Sequence, residues 1–389
     1  MNKYYNIGAY YFPGFHPNQY NEQWHGKGWT EWELLKAASQ RFEGHQQPKV
    51  PLWGYEDESD PVVMEKKIAA AADHNIDAFI FDWYWYENGP MHERCLEEGY
   101  LHAKNNNRCK FAIMWANHGW AAMQPQGRGR PHYYQTNSML SYEAFLKATD
   151  HIIEHYFKHP SYWRPDGKLY FSFYEMKELV EMFGNMEKAR KALDEFRCRV
   201  RGAGLGELNL NIIHQDYPIL PGERQFEAGD SQNQYYKELG FDSVTSYIWI
   251  HHYMDTMEFP ATPYCRLREQ MKADYIKFSE QLDLPYYPNI TMGWDPSPRT
   301  VQSDVYENVG YPFTPTISDN TPDEFRLALV QAKEFVDSHP KCRDIITVNA
   351  WNEWTESSYL EPDIINGYGY LQAFKEIFPA KPDRQETGE

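Results

Sequence analysis

Ile345-Ile346-Thr347-Val348-Asn349-Ala350-Trp351 is a β-branched, apolar run that leads straight into Asn352-Glu353-Trp354-Thr355-Glu356. A short continuous apolar run of this kind is the mark of a strand buried on both faces. Upstream, Thr321-Pro322-Asp323-Glu324 is a capping box with proline at the first helical position, and it opens a helix to about residue 338. A helix delivering the chain into a fully buried strand is one unit of a parallel α/β sheet. Seven more runs of the same character lie upstream, at 7–12, 76–84, 110–115, 169–174, 208–214, 241–247 and 286–292. Helical segments fill most of the gaps. One runs from Asp60-Pro61 to about residue 74, and others cover 141–158, 177–200 (with exit glycines Gly202 and Gly204), 265–282 and 368–377. Eight strands with helical crossovers predict an α/β fold, a single (β/α)₈ TIM barrel with long βα loops. A doubly wound open sheet is the alternative, but no strand is followed by G-x-G-x-x-G or a Walker loop. Residues 1–379 read as one barrel domain and 380–389 as a polar tail.

The composition narrows the function. The chain has 389 residues and a formal net charge of -18, which argues against nucleic acid and anionic membrane surfaces as partners. No run approaches the ~18 apolar residues of a membrane span, so no membrane insertion is expected. Trp 13, Tyr 30 and Phe 21 make an aromatic-rich chain, suited to a dense core and to flat platforms for sugar rings. Cys95, Cys109, Cys198, Cys265 and Cys342 are scattered, without a C-x-x-C pair, and read as reduced thiols. With no apolar leader at Met1 to Tyr5, a cytoplasmic protein is expected, or a periplasmic one had a leader been removed.

In a barrel the chemistry sits at the C-terminal strand ends. Those ends offer Tyr11 and His16, Asp82 and Tyr84, Trp115, Asn117 and His118, Tyr174, Gln215, Tyr247, Trp294 and Asp295, and Asn352. These are the expected substrate-binding residues. Aromatics would stack on C–H faces and polar groups would take hydroxyls. Asp82 and Tyr84 alternate with Trp83 and Trp85, and the polar pair is expected to face inward. Glu353 and Glu356, three apart, would point to opposite faces of an extended strand but reach one site if the chain turns. Glycoside cleavage needs one protonated and one ionised carboxyl, and Trp351 and Trp354 are the apolar neighbours expected to raise one pKa.

Ala350 to Glu356, continuing to Leu360-Glu361-Pro362-Asp363, resembles the C-terminal signature of WbsX-like proteins, relatives of glycoside hydrolase family 99. Tyr11-Phe12-Pro13-Gly14-Phe15-His16-Pro17, Trp24-His25-Gly26-Lys27-Gly28-Trp29-Thr30-Glu31-Trp32 and Met114-Trp115-Ala116-Asn117 fit as well. The resemblance implies a barrel and a retaining α-mannosidase or mannanase-like activity on an oligo- or polysaccharide. It implies Glu353 as the base for the substrate's own 2-hydroxyl, and Glu356 as general acid and then base for water. Ser357 stands where Gly is usual, His118 where Glu is common, and Gly14 where Gln is common. A glycosyltransferase of surface-polysaccharide assembly and a non-catalytic sugar-binding module are the competing readings. No cofactor and no metal are expected. The His151-Ile152-Ile153-Glu154-His155 string reads as solvated helix histidines, and His251-His252 as loop structure or a sugar contact. Trp24, Trp29 and Trp32 read as packing, with at least one a candidate subsite wall.

Overall fold

The computed structural model describes residues 3–121, 124–221, 223 and 231–381, so most of the tail read at 380–389 lies outside the described residues. Each of the eight apolar runs contributes a parallel strand. They are β1 (Asn6–Tyr11), β2 (Ala78–Tyr86), β3 (Lys110–Trp115), β4 (Leu169–Phe173), β5 (Leu208–Ile213), β6 (Ser243–Thr245), β7 in two pieces (Tyr286–Tyr287 and Asn289–Thr291) and β8 (Ile345–Asn349). The nine parallel segments run in chain order from β1 to the first piece of β7, and from β1 back through β8 to the second piece. Only Pro288 separates those pieces, so the ring closes at the seventh strand. Proline has no N–H to give to the ladder, yet its carbonyl still accepts from Thr347 N (3.0 Å).

Strand alternation sorts the aromatic residues. Tyr10 turns inward against Tyr247, with ring centroids 4.7 Å apart, and Tyr11 turns outward to Met64 of the first crossover helix, α1 (Pro61–Asp73). Gly8 on β1 sits where a Cβ would lie 2.7 Å from Ile80 Cδ1, so any larger residue would make the buried Ile80 side chain shift. The lumen below the mouth is polar and largely hydrogen-bonded, although the Tyr10 and Tyr170 hydroxyls have no partner. Ser172 donates to Asn211, Asn211 to Ser243, and Ser243 to Asn209, each at 2.9 Å.

The helices after β4 and β5 differ from expectation. The segment read as one helix over 177–200 is two, Met176–Phe183 and Met186–Gly202. Gly184 takes a left-handed φ of 82° and ends the first, and the Asn185 side chain accepts from Lys188 N and starts the second. A crossover helix not read from the sequence, α2 (Gln232–Leu239), stands between β5 and β6 behind its Ser231 cap. α3 (Tyr264–Gln281) and α4 (Pro322–Ser338) fall within a residue of expectation.

The Asp57–Asp60 stretch caps α1, as read, through Asp60 on Val62 N. Within α1, Lys67 is fully buried with Nζ 2.5 Å from both Glu58 and Glu361. Removing one partner of a buried ion network strands the others. We therefore expect Lys67→Met to lose about 3–5 kcal/mol of unfolding free energy. A denaturant midpoint equal to that of the parent chain would show that the two acids are not held by this ammonium.

Candidate active site

The carboxylate turn is built by backbone geometry. After β8 the chain makes a two-residue hairpin, Asn352–Glu353 against Ser358–Tyr359, closed by the single turn Trp354–Glu356 and by Ser357 at φ 54°. That positive φ is the physical reason a glycine suits position 357. The turn reverses the chain between Glu353 and Glu356 and brings both to one side. The loop after β7 presses on it: Asp295 N donates to Glu356 O (2.6 Å), and a Cβ on Gly293 would meet Ser357 O at 2.5 Å.

Both carboxylates converge on a residue that the sequence reading missed, Arg299. Its Nη2 lies 2.6 Å from Glu353 Oε1, its Nη1 donates to Glu356 Oε1, and its Nη2 also reaches Glu31 at 3.2 Å. Tyr311 donates to the same Glu356 oxygen (2.9 Å), and Thr355 donates to Glu31 (2.6 Å). Arg299, Glu31, Glu353 and Glu356 are all buried. Burial raises the Glu353 pKa well above the ordinary glutamate value. Arg299 opposes this, while Glu356, Glu31 and Asp82 add to it. Burial also raises Glu356, against Arg299 and the Tyr311 hydrogen bond. One signal for Arg299 was available in the sequence: two carboxyls drawn into one apolar mouth need a cation beside them, and Arg299 follows strand seven closely.

The pair opens into a cavity of about 770 Å³, measured to include its mouth, walled by Phe12, Tyr84, Trp120, Tyr174, Trp294 and Tyr311 among others. Of the expected binding residues, Asp82, Tyr84, His118, Tyr174, Tyr247 and Trp294 line it. Asp82 accepts from Tyr247 OH (2.8 Å), its other oxygen has no partner, and burial pushes its pKa well up. At the rim, burial pushes Glu223 up to about 7, although Tyr174 OH donates to it at 2.7 Å.

The other expected residues stand elsewhere, each for a local reason. Tyr11 and Trp115 point outward by strand alternation, Trp115 stacking on Phe145 and Phe173. His16 is buried, its ring nitrogens taken by the carbonyls of Pro17 and His92. Asn352 holds Phe12 N and O (2.8 and 2.7 Å), and Asn117 holds Tyr174 N and Glu175 N, so both clamp backbone. Asp295 is bound by His45 and Gln47 at the wall of a neighbouring cavity, and Gln215 donates to Tyr174 O from behind. Trp351 and Trp354 do not reach the cavity. Trp351 packs on Phe79 and Trp354 stacks on Tyr359, so the walls that desolvate the pair are others, Phe12 and Trp294 among them.

Trp24, Trp29 and Trp32 lie outside the cavity lining, and Trp32 stacks on Phe15 in the core beneath it. His151 and His155 stack on each other on the β3–β4 crossover, with His151 bound to Glu97. All five cysteines are free. Among the described residues no helix is long and apolar enough to cross a membrane.

Fold and site together define a (β/α)₈-barrel protein with a paired-carboxylate centre at the C-terminal mouth. The chain belongs to the family described as "Glycosyltransferase WbsX", which matches residues 7–374. It is 26% identical over 390 residues to the uncharacterized protein WxcX of two strains of Xanthomonas campestris pv. campestris, covering 96% of this chain and 50% of the relative. The chain thus spans about half the length of the curated relatives it matches. In fold it resembles the GH99 endo-alpha-mannosidase from Bacteroides thetaiotaomicron, with TM-score 0.57 and 14% identity over 95% of this chain and 96% of that one. It also resembles a glycoside hydrolase-like protein, with TM-score 0.60 and 15% identity over 97% of this chain and 94% of that one.

Proposed function

We propose that residues 1–379 form one catalytic unit, a retaining glycoside hydrolase acting on an α-linked, mannose-like oligo- or polysaccharide. The observation that supports this best is the convergence of Glu353 and Glu356 on one guanidinium in an aromatic-walled cavity. Glu353 takes the proton of the substrate's 2-hydroxyl, whose oxygen attacks C1 as Glu356 protonates the departing oxygen. A 1,2-anhydro sugar results. Glu356 then removes a proton from water, water opens the three-membered ring at C1, and Glu353 returns its proton to O2. Two inversions give net retention. The raised pKa values serve both roles: an acid must hold its proton near neutral pH, and a base gains strength as its pKa rises. Tyr84, Trp120 and Trp294 are the proposed platforms for sugar rings, and Asp82, with its unpartnered oxygen, the proposed acceptor for a sugar hydroxyl.

Incubation with a panel of α-linked oligosaccharides, with the anomer of the first-formed product read by NMR, tests the assignment. Release of the inverted anomer would exclude the double displacement. The family's description keeps a transfer reaction as the second reading. Turnover of a nucleotide sugar with no hydrolysis of any glycan would favour it.

The pKa directions carry a pH expectation. Catalysis needs Glu353 ionised and Glu356 protonated, so kcat/KM against pH should be bell-shaped. Burial lifts both folded-state values above the ordinary glutamate range, so the acid limb should lie at higher pH than an unperturbed glutamate gives. An acid limb at or below the ordinary value would contradict the assigned base.

A further inference from the structure

His214 follows directly on β5, Asp216 lies two residues beyond, and His252 sits in the short helix Ile250–Tyr253 after β6. Gln232 of α2 donates Nε2 to the Gln215 carbonyl (2.9 Å), which fixes its amide, so His214 Nδ1 meets the amide oxygen at 3.0 Å. An amide oxygen only accepts. The Tyr236 hydroxyl, also 3.0 Å from Nδ1, gives its proton to the same amide oxygen (2.6 Å), so in a neutral His214 this arrangement favours the proton on Nδ1 and the lone pair on Nε2. That lone pair faces Asp216 Oδ1 across 3.8 Å, beyond hydrogen-bond range. Two electron-rich atoms are thus aimed at each other.

His252 completes the arrangement. Its Nδ1 lies 2.7 Å from Asp216 Oδ2 and its Nε2 2.8 Å from Ser246 Oγ, which in turn meets Tyr286 OH at 2.9 Å. Hydroxyls rotate. Ser246 can accept from Nε2–H and donate to Tyr286, moving the His252 proton to Nε2 and freeing Nδ1 as a second lone pair. Both histidines would then donate their other ring N–H to a fixed oxygen, the outer support that metal-bound imidazoles almost always have.

We propose that His214, Asp216 and His252 bind one divalent cation of the zinc class, at a site beside the active-site cavity. The ligand atoms lie within 4.8 Å of one another. About 3.4 Å separates ligands around tetrahedral zinc with bonds of about 2.0–2.1 Å. Asp216 stands 2.7 Å from His252 Nδ1 and 3.8 Å from His214 Nε2, and its side chain is 36% exposed while both rings are buried, so ion binding would draw the three ligands closer. Two imidazoles and one carboxylate suit a borderline transition metal and not calcium or magnesium, which take oxygen. A cleft past Phe278 opens on His214 and Asp216, the side from which a water would enter as fourth ligand. Lys277, at that rim, opposes the cation only from a half-exposed position. The sequence reading assigned no metal here, because the third ligand is 36 residues away and comes from the next strand end.

The ion would act on the cavity through backbone. Asp216 N and Tyr217 N donate to His251 O (3.1 and 2.9 Å), and His251 Nε2 meets Tyr174 OH at 3.2 Å in the cavity wall. It would tie the two loops that place Tyr174, and it takes no part in bond cleavage.

The test uses the whole chain, stripped with chelator and titrated with Co²⁺ alone, followed by visible absorption and calorimetry. We expect one equivalent bound with a d–d band displaced by Zn²⁺, and a higher Tm with Zn²⁺ present. Asp216→Asn and His214→Gln should each weaken binding by about 100-fold or more, and Ser246→Ala by about 10-fold through the outer contact. Should a variant fail to fold, the parent chain still decides. Absence of a cobalt band and of a zinc-dependent Tm shift would leave only a hydrogen-bonded His–Asp pair and overturn the proposal. Binding undiminished in Asp216→Asn and His214→Gln would place the ion on other histidines and overturn it equally.

Discussion

Glu353→Gln is expected to lower kcat by about 10²–10⁴-fold on every glycoside, whatever its leaving group. Without its base the 2-hydroxyl is a poor nucleophile, and a better leaving group does not repair that. Glu356→Gln should lose a similar factor on natural substrates, whose sugar leaving groups need a proton. It should lose far less on an activated aryl glycoside, which leaves without one. The Gln variants keep the shape of the turn and the contact to Arg299, so loss of activity would not be loss of fold. Stability checks this. A carboxyl whose folded-state pKa is raised stabilises the fold below its unfolded pKa, and that contribution is lost as pH rises through the folded value. Both glutamates are of this kind, so neither substitution should lower Tm at pH 7. A 2-deoxy or 2-fluoro substrate should be inert. If instead a 2-fluoro glycoside with a good leaving group leaves a covalent mass increase on Glu353, that residue is a direct nucleophile. The 2-hydroxyl route would then fall while the hydrolase reading stands. Equal, slight effects of both substitutions would remove the catalytic assignment.

The barrel was legible because buried parallel strands advertise themselves as continuous apolar runs, and all eight are present within a few residues of where the pattern puts them. Alternation on β2 was legible too: Asp82 and Tyr84 line the cavity, while Trp83 packs on Trp115 and Tyr156. Strand ends proved a coarser guide. Position near a C-terminus does not say which way a side chain points, and Tyr11 against Tyr10 shows a one-residue difference reversing the answer. Nor does it separate a group that meets solvent from one spent on backbone. Asn117 and Asn352 have the chemistry of sugar ligands, yet their amides hold loop backbones. Arg299 was hidden for the complementary reason. Its role exists only where the loops after β1, β7 and β8 meet, and the need for a cation beside the pair does not by itself say which one.

Arg299 therefore carries the other large expected effect. Its guanidinium touches Glu31, Glu353 and Glu356, all buried. Arg299→Met leaves three carboxyls without that positive charge. Breaking a buried ion cluster by removing one partner costs about 3–5 kcal/mol, and that is the loss expected at pH 7 by chemical denaturation. The pH dependence identifies the cause. Without the cation the folded-state pKa values of Glu353 and Glu356 move further above their unfolded values, so stability is kept at acid pH and lost as pH rises through those higher values. The variant should approach the parent chain near pH 4 and fall furthest from it at neutral pH. The acid limb of its residual kcat/KM profile should shift upward, because the base now holds its proton longer. Arg299→Lys should recover much of the stability but little of the activity, since a single ammonium replaces the charge without bridging two carboxylates in a plane. Adding Glu31→Gln to Arg299→Met should recover part of the loss by removing one of the stranded charges. A deficit equal at pH 4 and pH 7, or one that Glu31→Gln deepens, would mean that Arg299 serves packing against Phe12, 5.5 Å from its ring centroid, and not the charge balance of the pair.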